Sequence, residues 1–400
     1  MVAGVLAGVL LAGCAPREGG TDEAVASGGT EQEAAVSGGA EREAVPHGYV
    51  EGAEETAEPQ YRLVLADGAQ AHVFDLLTER ATAVADVAGV REATGDGRFA
   101  YLTTGAGGLR VVDSGGWTVD HGDHMHYYRA ATRDLGVIAG TAPYEVAADP
   151  AVTAVRSADG TVTLYDRARM EKGELAEMGR IAGAAAAVPY RDRLLVAEDG
   201  GGVRVRTRTG EAGAAVGNCP DAAGTAVTRR GVVFGCADGA LLVAEKEGEF
   251  EGVKIRYPRK TAAGERVTAF RHRPGSSTLA AKAGDAGVWV LDVADRVWRR
   301  LRTGPVVAVS ATGEDTPVVS LGADGVLRAH DSVTGKQTAE TRLFETPPTG
   351  SPTIQTDTAR AYVNDPAGQV IHEIDYNDAL RRARTFRPGF VPAHMTETGR

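Results

Sequence analysis

The sequence predicts an all-β protein: a β-propeller of eight blades, with seven as the alternative, preceded by a disordered tether. Three observations carry this. Short β-rich runs joined by glycine-containing turns recur eight times after residue 60, six of them through Asp-Gly or Gly-Gly, and such turns between apolar runs are the strongest short hairpin signal. The hairpins return every roughly 40–50 residues, the period of a four-stranded blade. The chain carries 52 glycines and only 6% aromatic residues, a composition that suits many tight turns better than long helices. A pair of unrelated β-sandwiches is the competing architecture, and the regular spacing argues against it.

Taken in order, residues 1–14 form an apolar Ala/Gly/Leu run ending in Leu11-Ala12-Gly13-Cys14. The run is too short to span a bilayer and reads as a signal-peptide core. Its ending resembles a bacterial lipobox, which predicts a lipoprotein signal peptide cleaved so that Cys14 becomes a lipidated N-terminus. The basic segment that usually opens such a peptide is missing. The expected location is therefore extracytoplasmic, on the membrane through a lipid anchor.

Residues 15–60 repeat loosely as GGTDEAVAS, GGTEQEAAVS and GGAEREAVPH. Such a Gly/Ser/Glu-rich stretch cannot bury enough apolar surface to fold. It is expected to be a disordered acidic linker, spanning about 35–40 Å as a flexible chain. It holds eleven acids against Arg17 and Arg42, which is −9 of the chain's −11. The remainder is close to neutral, which argues against a nucleic-acid partner.

Residues 61–400 are expected to form the propeller domain. The hairpins start with YRLVLADGAQAHVFDLLT at Tyr61 and AYLTTGAGGLRVVDS at Ala100. They continue with TAVRSADGTVTLYDRA at Thr153, LLVAEDGGGVRVRTRTG at Leu194 and GVVFGCADGALLVAE at Gly231. The last three are LAAKAGDAGVWVLDVADR at Leu279, PVVSLGADGVLRAHDSVTGK at Pro317 and AYVNDPAGQVIHEIDYND at Ala361.

Between the second and third hairpins lies WTVDHGDHMHYYRA, residues 117–130, which holds three of the nine histidines. His124 and His126 are two apart, so an extended strand puts both imidazoles on one face. Gly122 permits a turn that returns His121 toward them. Three imidazoles with a carboxylate or water make the tetrahedral nitrogen/oxygen set that zinc favours. Asp120 or Asp123 would be a fourth ligand, or would orient a histidine. The bland alternative is a polar surface loop. In a propeller, loops entering the innermost strands line the channel, so this stretch is expected to face the axis. His272, in AFRHRPG, is then the candidate remote ligand. His72, His330 and His372 lie on hairpin strands and read as packing or surface histidines, with His47 and His394 weaker still.

With Cys14 assigned to lipidation, Cys219 and Cys236 remain. In an exported protein that pair reads as a disulfide, with a thiolate metal site as runner-up. The helical zinc-protease pattern HExxH is missing, as are a G-x-S-x-G elbow, a P-loop and a dinucleotide-binding G-x-G-x-x-G. The expectation is therefore no enzymatic activity.

The chain resembles the AztD-type zinc metallochaperones, on the strength of WTVDHGDHMHYYRA, NCP followed by FGCADGALLV, AYVNDPAGQVIHEIDY and the ending FVPAHMTETGR. The resemblance covers nearly everything after the tether. It implies an exported β-propeller that holds zinc on His121, His124 and His126. It further implies delivery of that zinc to the solute-binding protein of a zinc ABC transporter. The family pattern has further histidines in later interblade segments, and this chain departs from it: TAPYEVAADP, AGAAAAVPYRDR and CPDAAGTAV hold none. His272 matches a remaining one. The alternative is a metal-independent propeller lipoprotein acting as a protein-interaction scaffold, and a propeller hydrolase or lactonase is a third reading. Metal content separates the first two.

Overall fold

A strand whose two faces are both covered must be apolar at every position, and the first strand of each hairpin unit, the second of its blade, meets that demand. Phe99-Ala100-Tyr101-Leu102 and Leu194-Leu195-Val196-Ala197 are buried throughout, because successive side chains point to opposite neighbours. In the computed structural model, which describes residues 50–121 and 124–400, these runs sit inside eight small antiparallel sheets.

From the innermost strand outward, blade 1 is His394–Thr398, Arg62–Ala66, Gln70–Asp75 and Arg80–Asp86; blade 2 is Val90–Gly95, Phe99–Thr104, Leu109–Asp113 and Arg133–Ile138. Blades 3, 4 and 5 follow the same plan from Glu145, Ala184 and Thr225. Blade 6 has three strands, Thr278–Lys282, Val288–Asp292 and Val297–Leu301. Its innermost position is filled by a single bridge between Arg271 and Ala280. Blades 7 and 8 begin at Val306 and Ile354.

Alternation sends each strand's side chains into two interfaces. In blade 1, Leu63, Leu65 and Phe74 meet Tyr362, Ile371 and Phe386 of blade 8, while Val64 and Val73 meet Ala100 and Leu102 of blade 2. In blade 2, Tyr101 and Val111 pack on Val155 and Tyr165 of blade 3. The pattern repeats around the molecule, giving eight apolar clusters, one per pair of adjacent blades. The count closes at eight blades, and the seven-blade alternative drops out. The last strand locks the ring: His394–Thr398 pairs antiparallel with Arg62–Ala66, Ala66 opposite His394.

An aspartate closes the third strand of several blades, and its carboxylate caps the turn that follows. Asp75 accepts the backbone N–H groups of Leu77 and Thr78 at 3.0 and 2.8 Å. Asp331 does the same for Val333 and Thr334 at 3.1 and 2.6 Å. In blade 3 the residue is Asp166, which caps the short helix Arg167–Glu171.

Cys219 and Cys236 form a disulfide. It ties the exit of blade 4 to the end of the second strand of blade 5 (Gly231–Cys236), and both residues are buried. The two positions are 17 apart, so the loop-entropy contribution is about 3 kcal/mol. Replacing both cysteines by alanine is expected to lower the unfolding free energy by about that amount in non-reducing guanidinium. An unfolding curve that matches the parent's would show that the bond is not made.

The linker expected over residues 15–60 ends earlier than the composition suggests. Glu54–Thr56 form a strand that pairs with Met125–Arg129, outside the eight blades. The reason is an available edge: a hairpin inserted in blade 2 offers unpaired backbone groups, and a short polar strand satisfies them. Residues 1–49, including Cys14 and His47, lie outside the described residues.

Candidate metal centre

Blade 2 is interrupted between its third and outer strands. The chain leaves at Asp113, makes a hairpin from Gly116–Asp120 and Met125–Arg129, and returns as Arg133–Ile138. The excursion is therefore a connection from third to outer strand. Its position between the second and third hairpins suggests a loop entering an innermost strand, but an outer strand, Arg133–Ile138, follows the motif before blade 3 begins.

Charge and stacking hold its neck. Asp113 is fully buried and accepts from Arg98 Nη2 at 3.0 Å and from Arg133 Nη2 at 2.8 Å, so one carboxylate joins exit and return. The Arg98 guanidinium lies 3.8 Å over the Trp117 ring, and Trp117 stacks on Tyr128 at 5.2 Å. Gly115 has φ +70°, and a β-carbon there would stand 2.3 Å from the Ala130 carbonyl oxygen, so only glycine fits. Farther out, Thr118 Oγ1 donates to the carbonyl of Gly399 at 3.1 Å.

At the tip the three histidines meet. The His121 N–H donates to the His124 carbonyl at 3.0 Å, closing the turn. One ring nitrogen from each of His121, His124 and His126 lies within 4.8 Å of the others. His124 Nε2 and His126 Nε2 are 3.0 Å apart. In a tetrahedral zinc site with Zn–N near 2.0–2.1 Å, two ligand nitrogens stand about 3.3 Å apart. The His124–His126 pair is thus nearly at coordination spacing, with a ring nitrogen of His121 within 4.8 Å, and the donor chemistry fits a borderline-soft dication. His126 is buried, while His121 and His124 are exposed and leave one side open to solvent.

Glu55 adds a carboxylate that sequence reasoning missed. Its Oε1 lies 2.6 Å from His126 Nδ1. It stands 71 residues away in the chain, inside a stretch whose composition reads as linker, and no local signal ties it to the histidines. Asp120 ends the first strand of the hairpin, opposite Met125. Asp123, expected as a ligand or an orienting group, lies outside the described residues, as does Gly122.

His272 does not join the cluster. Its segment pairs with blades 6 and 7 through Arg271–Ala280 and His272–Ala311 bridges. Burial, with Arg400, Arg271 and Arg273 nearby, pushes its imidazole down to about 4, and those arginines repel a cation. The expectation of a ligand from across the ring is corrected on that ground. His72 packs on Phe390 with centroids 3.9 Å apart and pairs with Asp67 at 3.1 Å. His330 and His372 are likewise buried in the blades.

No protein-family model matches the chain, and no curated protein matches it. Solved structures do. Apo AztD from Citrobacter koseri is similar over 85% of this chain and 98% of its own, with a TM-score of 0.70 and 19% identity. A second Citrobacter koseri AztD structure gives the same coverage and TM-score at 20% identity. Dihydro-heme d1 dehydrogenase NirN in complex with DHE is similar at a TM-score of 0.56 and 13% identity, covering 86% of this chain and 76% of its own. The fold is that of an AztD-type β-propeller.

Proposed function

We propose that the chain is an extracytoplasmic zinc carrier, anchored by a lipid on Cys14, that hands zinc to the solute-binding protein of a zinc ABC transporter. The observation that carries this reading is the histidine trio, with its ligand atoms gathered within 4.8 Å on the tip of an excursion from an AztD-type propeller. Three imidazoles hold the ion, and the exposure of His121 and His124 gives water or an incoming group an approach to it. A carrier needs that opening, because a partner's ligand must enter before the last histidine leaves. The missing interblade histidines of TAPYEVAADP, AGAAAAVPYRDR and CPDAAGTAV confine capture to this tip.

The test is a transfer experiment. The purified protein is expected to take up about one zinc per chain at neutral pH. It should then pass that zinc to the solute-binding protein of a zinc ABC transporter faster than a chelator of equal affinity extracts it. A protein that binds no zinc at micromolar concentration loses the carrier reading and becomes an interaction scaffold.

A further inference from the structure

The strand Glu54–Thr56 lies outside the propeller, yet its register is fixed against the metal motif. Glu54 stands opposite Arg129, Glu55 opposite Tyr128 and Thr56 opposite Tyr127. Alternation then separates its two acids. Glu54 pairs with Arg129 at 2.8 Å between two exposed side chains. Glu55 turns to the other face, the face that carries Tyr128 and, two residues back, His126. A slip of one residue would bring Glu54 or Thr56 there instead. Thr56 Oγ1 donates to the Tyr127 carbonyl at 3.2 Å and holds the register.

From this we infer that Glu55 is a positioning residue for metal capture: its carboxylate keeps the proton of His126 on Nδ1 and leaves Nε2 as a lone pair aimed at the ion. The inference rests on the carrier reading for its purpose, and on the 2.6 Å contact for its geometry. A carboxylate oxygen accepts and the imidazole nitrogen facing it must donate, so the tautomer follows. The other nitrogen, Nε2, is the one beside His124 Nε2 at 3.0 Å, where the ligand atoms converge. His126 is also the buried member of the trio, so its ring cannot turn freely to choose a nitrogen. A carboxylate on the far nitrogen also makes imidazole a stronger donor to a metal. Stability alone gives little reason for the contact: the Glu55 side chain is 46% exposed, so water competes for its carboxylate. The metal site is therefore completed by a strand that precedes the first blade.

Two readouts on the full chain test this. In the zinc-free protein, nitrogen-15 shifts of the histidine rings report the tautomer. His126 is expected as Nδ1–H in the parent and in Glu55→Gln, whose amide oxygen still accepts, and as a majority of Nε2–H in Glu55→Ala. In zinc titrations, Glu55→Ala is expected to weaken binding about 10- to 100-fold, with Glu55→Gln between it and the parent. Glu54→Ala removes the neighbouring ion pair and should bind as the parent does. An unchanged His126 tautomer in Glu55→Ala overturns the inference, and so does an equal loss in Glu54→Ala, which would mark a merely structural strand. The tautomer arm needs no zinc, so it stands or falls apart from the carrier reading.

Discussion

His126→Ala and His124→Ala are expected to lose zinc affinity by on the order of 100-fold or more. A structural zinc site of four ligands is worth roughly 10–16 kcal/mol, so an even share is about 2.5–4 kcal/mol per ligand, and each 1.4 kcal/mol is tenfold. The real loss is expected at the upper end, because His121, His124 and His126 are the donors the described residues gather, and each carries a large share of the coordination. His121→Ala should follow the same pattern. His330→Ala and His272→Ala serve as controls, expected within about twofold of the parent, since His330 is packed inside blade 7 and His272 sits among arginines. The measurement is a competitive zinc titration against a chelator, with an unfolding curve for each variant to separate ligand loss from misfolding. A His126→Ala protein that binds as tightly as the parent removes the trio from the site.

How far the sequence carried this differs from element to element. The ring was legible because each blade repeats the same physical problem. A strand between two neighbours is apolar at every position, as in Val232-Val233-Phe234, and an aspartate closes the third strand, as in VFD, LYD and EID. Blade 6 was less legible, because its innermost segment runs Arg271-His272-Arg273-Pro274 and makes isolated bridges in place of a strand. The histidine trio was legible in part. Spacing of two on a strand put His124 and His126 on one face, and the hairpin delivers that geometry. The partner of His126 was not, since a single glutamate in an acidic Gly-rich stretch gives no periodic signal. Only the register of a three-residue strand against a hairpin 71 residues later makes it meaningful.

Asp96→Ala is expected to cost about 3–5 kcal/mol of folding free energy, the penalty for leaving a buried cation without its partner. Asp96 follows the innermost strand of blade 2, and Arg167 opens the short helix of blade 3, so their ion pair bridges two blades. Both side chains are more than nine-tenths buried. Arg167 Nη2 donates to Asp96 Oδ1 at 3.2 Å, Tyr101 donates its hydroxyl at 2.5 Å, and the Phe99 N–H donates at 2.9 Å. The guanidinium also lies 4.4 Å over the Phe99 ring. Burial alone would raise the Asp96 carboxyl, but Arg167 and these hydrogen bonds outweigh it and hold the group below the usual carboxylate range. A carboxylate with a depressed folded pKa adds stability above its unfolded value and loses it as pH falls through the folded one. The parent should therefore lose this contribution only below about pH 4, and Asp96→Ala should show a flatter acid limb there. The double variant Asp96→Ala with Arg167→Met is expected to recover much of the loss, because no buried charge is then left unpaired. Chemical unfolding of parent, single and double variants between pH 3 and 7 measures all three. A single variant as stable as the parent would mean that water reaches Arg167 and that blades 2 and 3 are held by their apolar contacts alone.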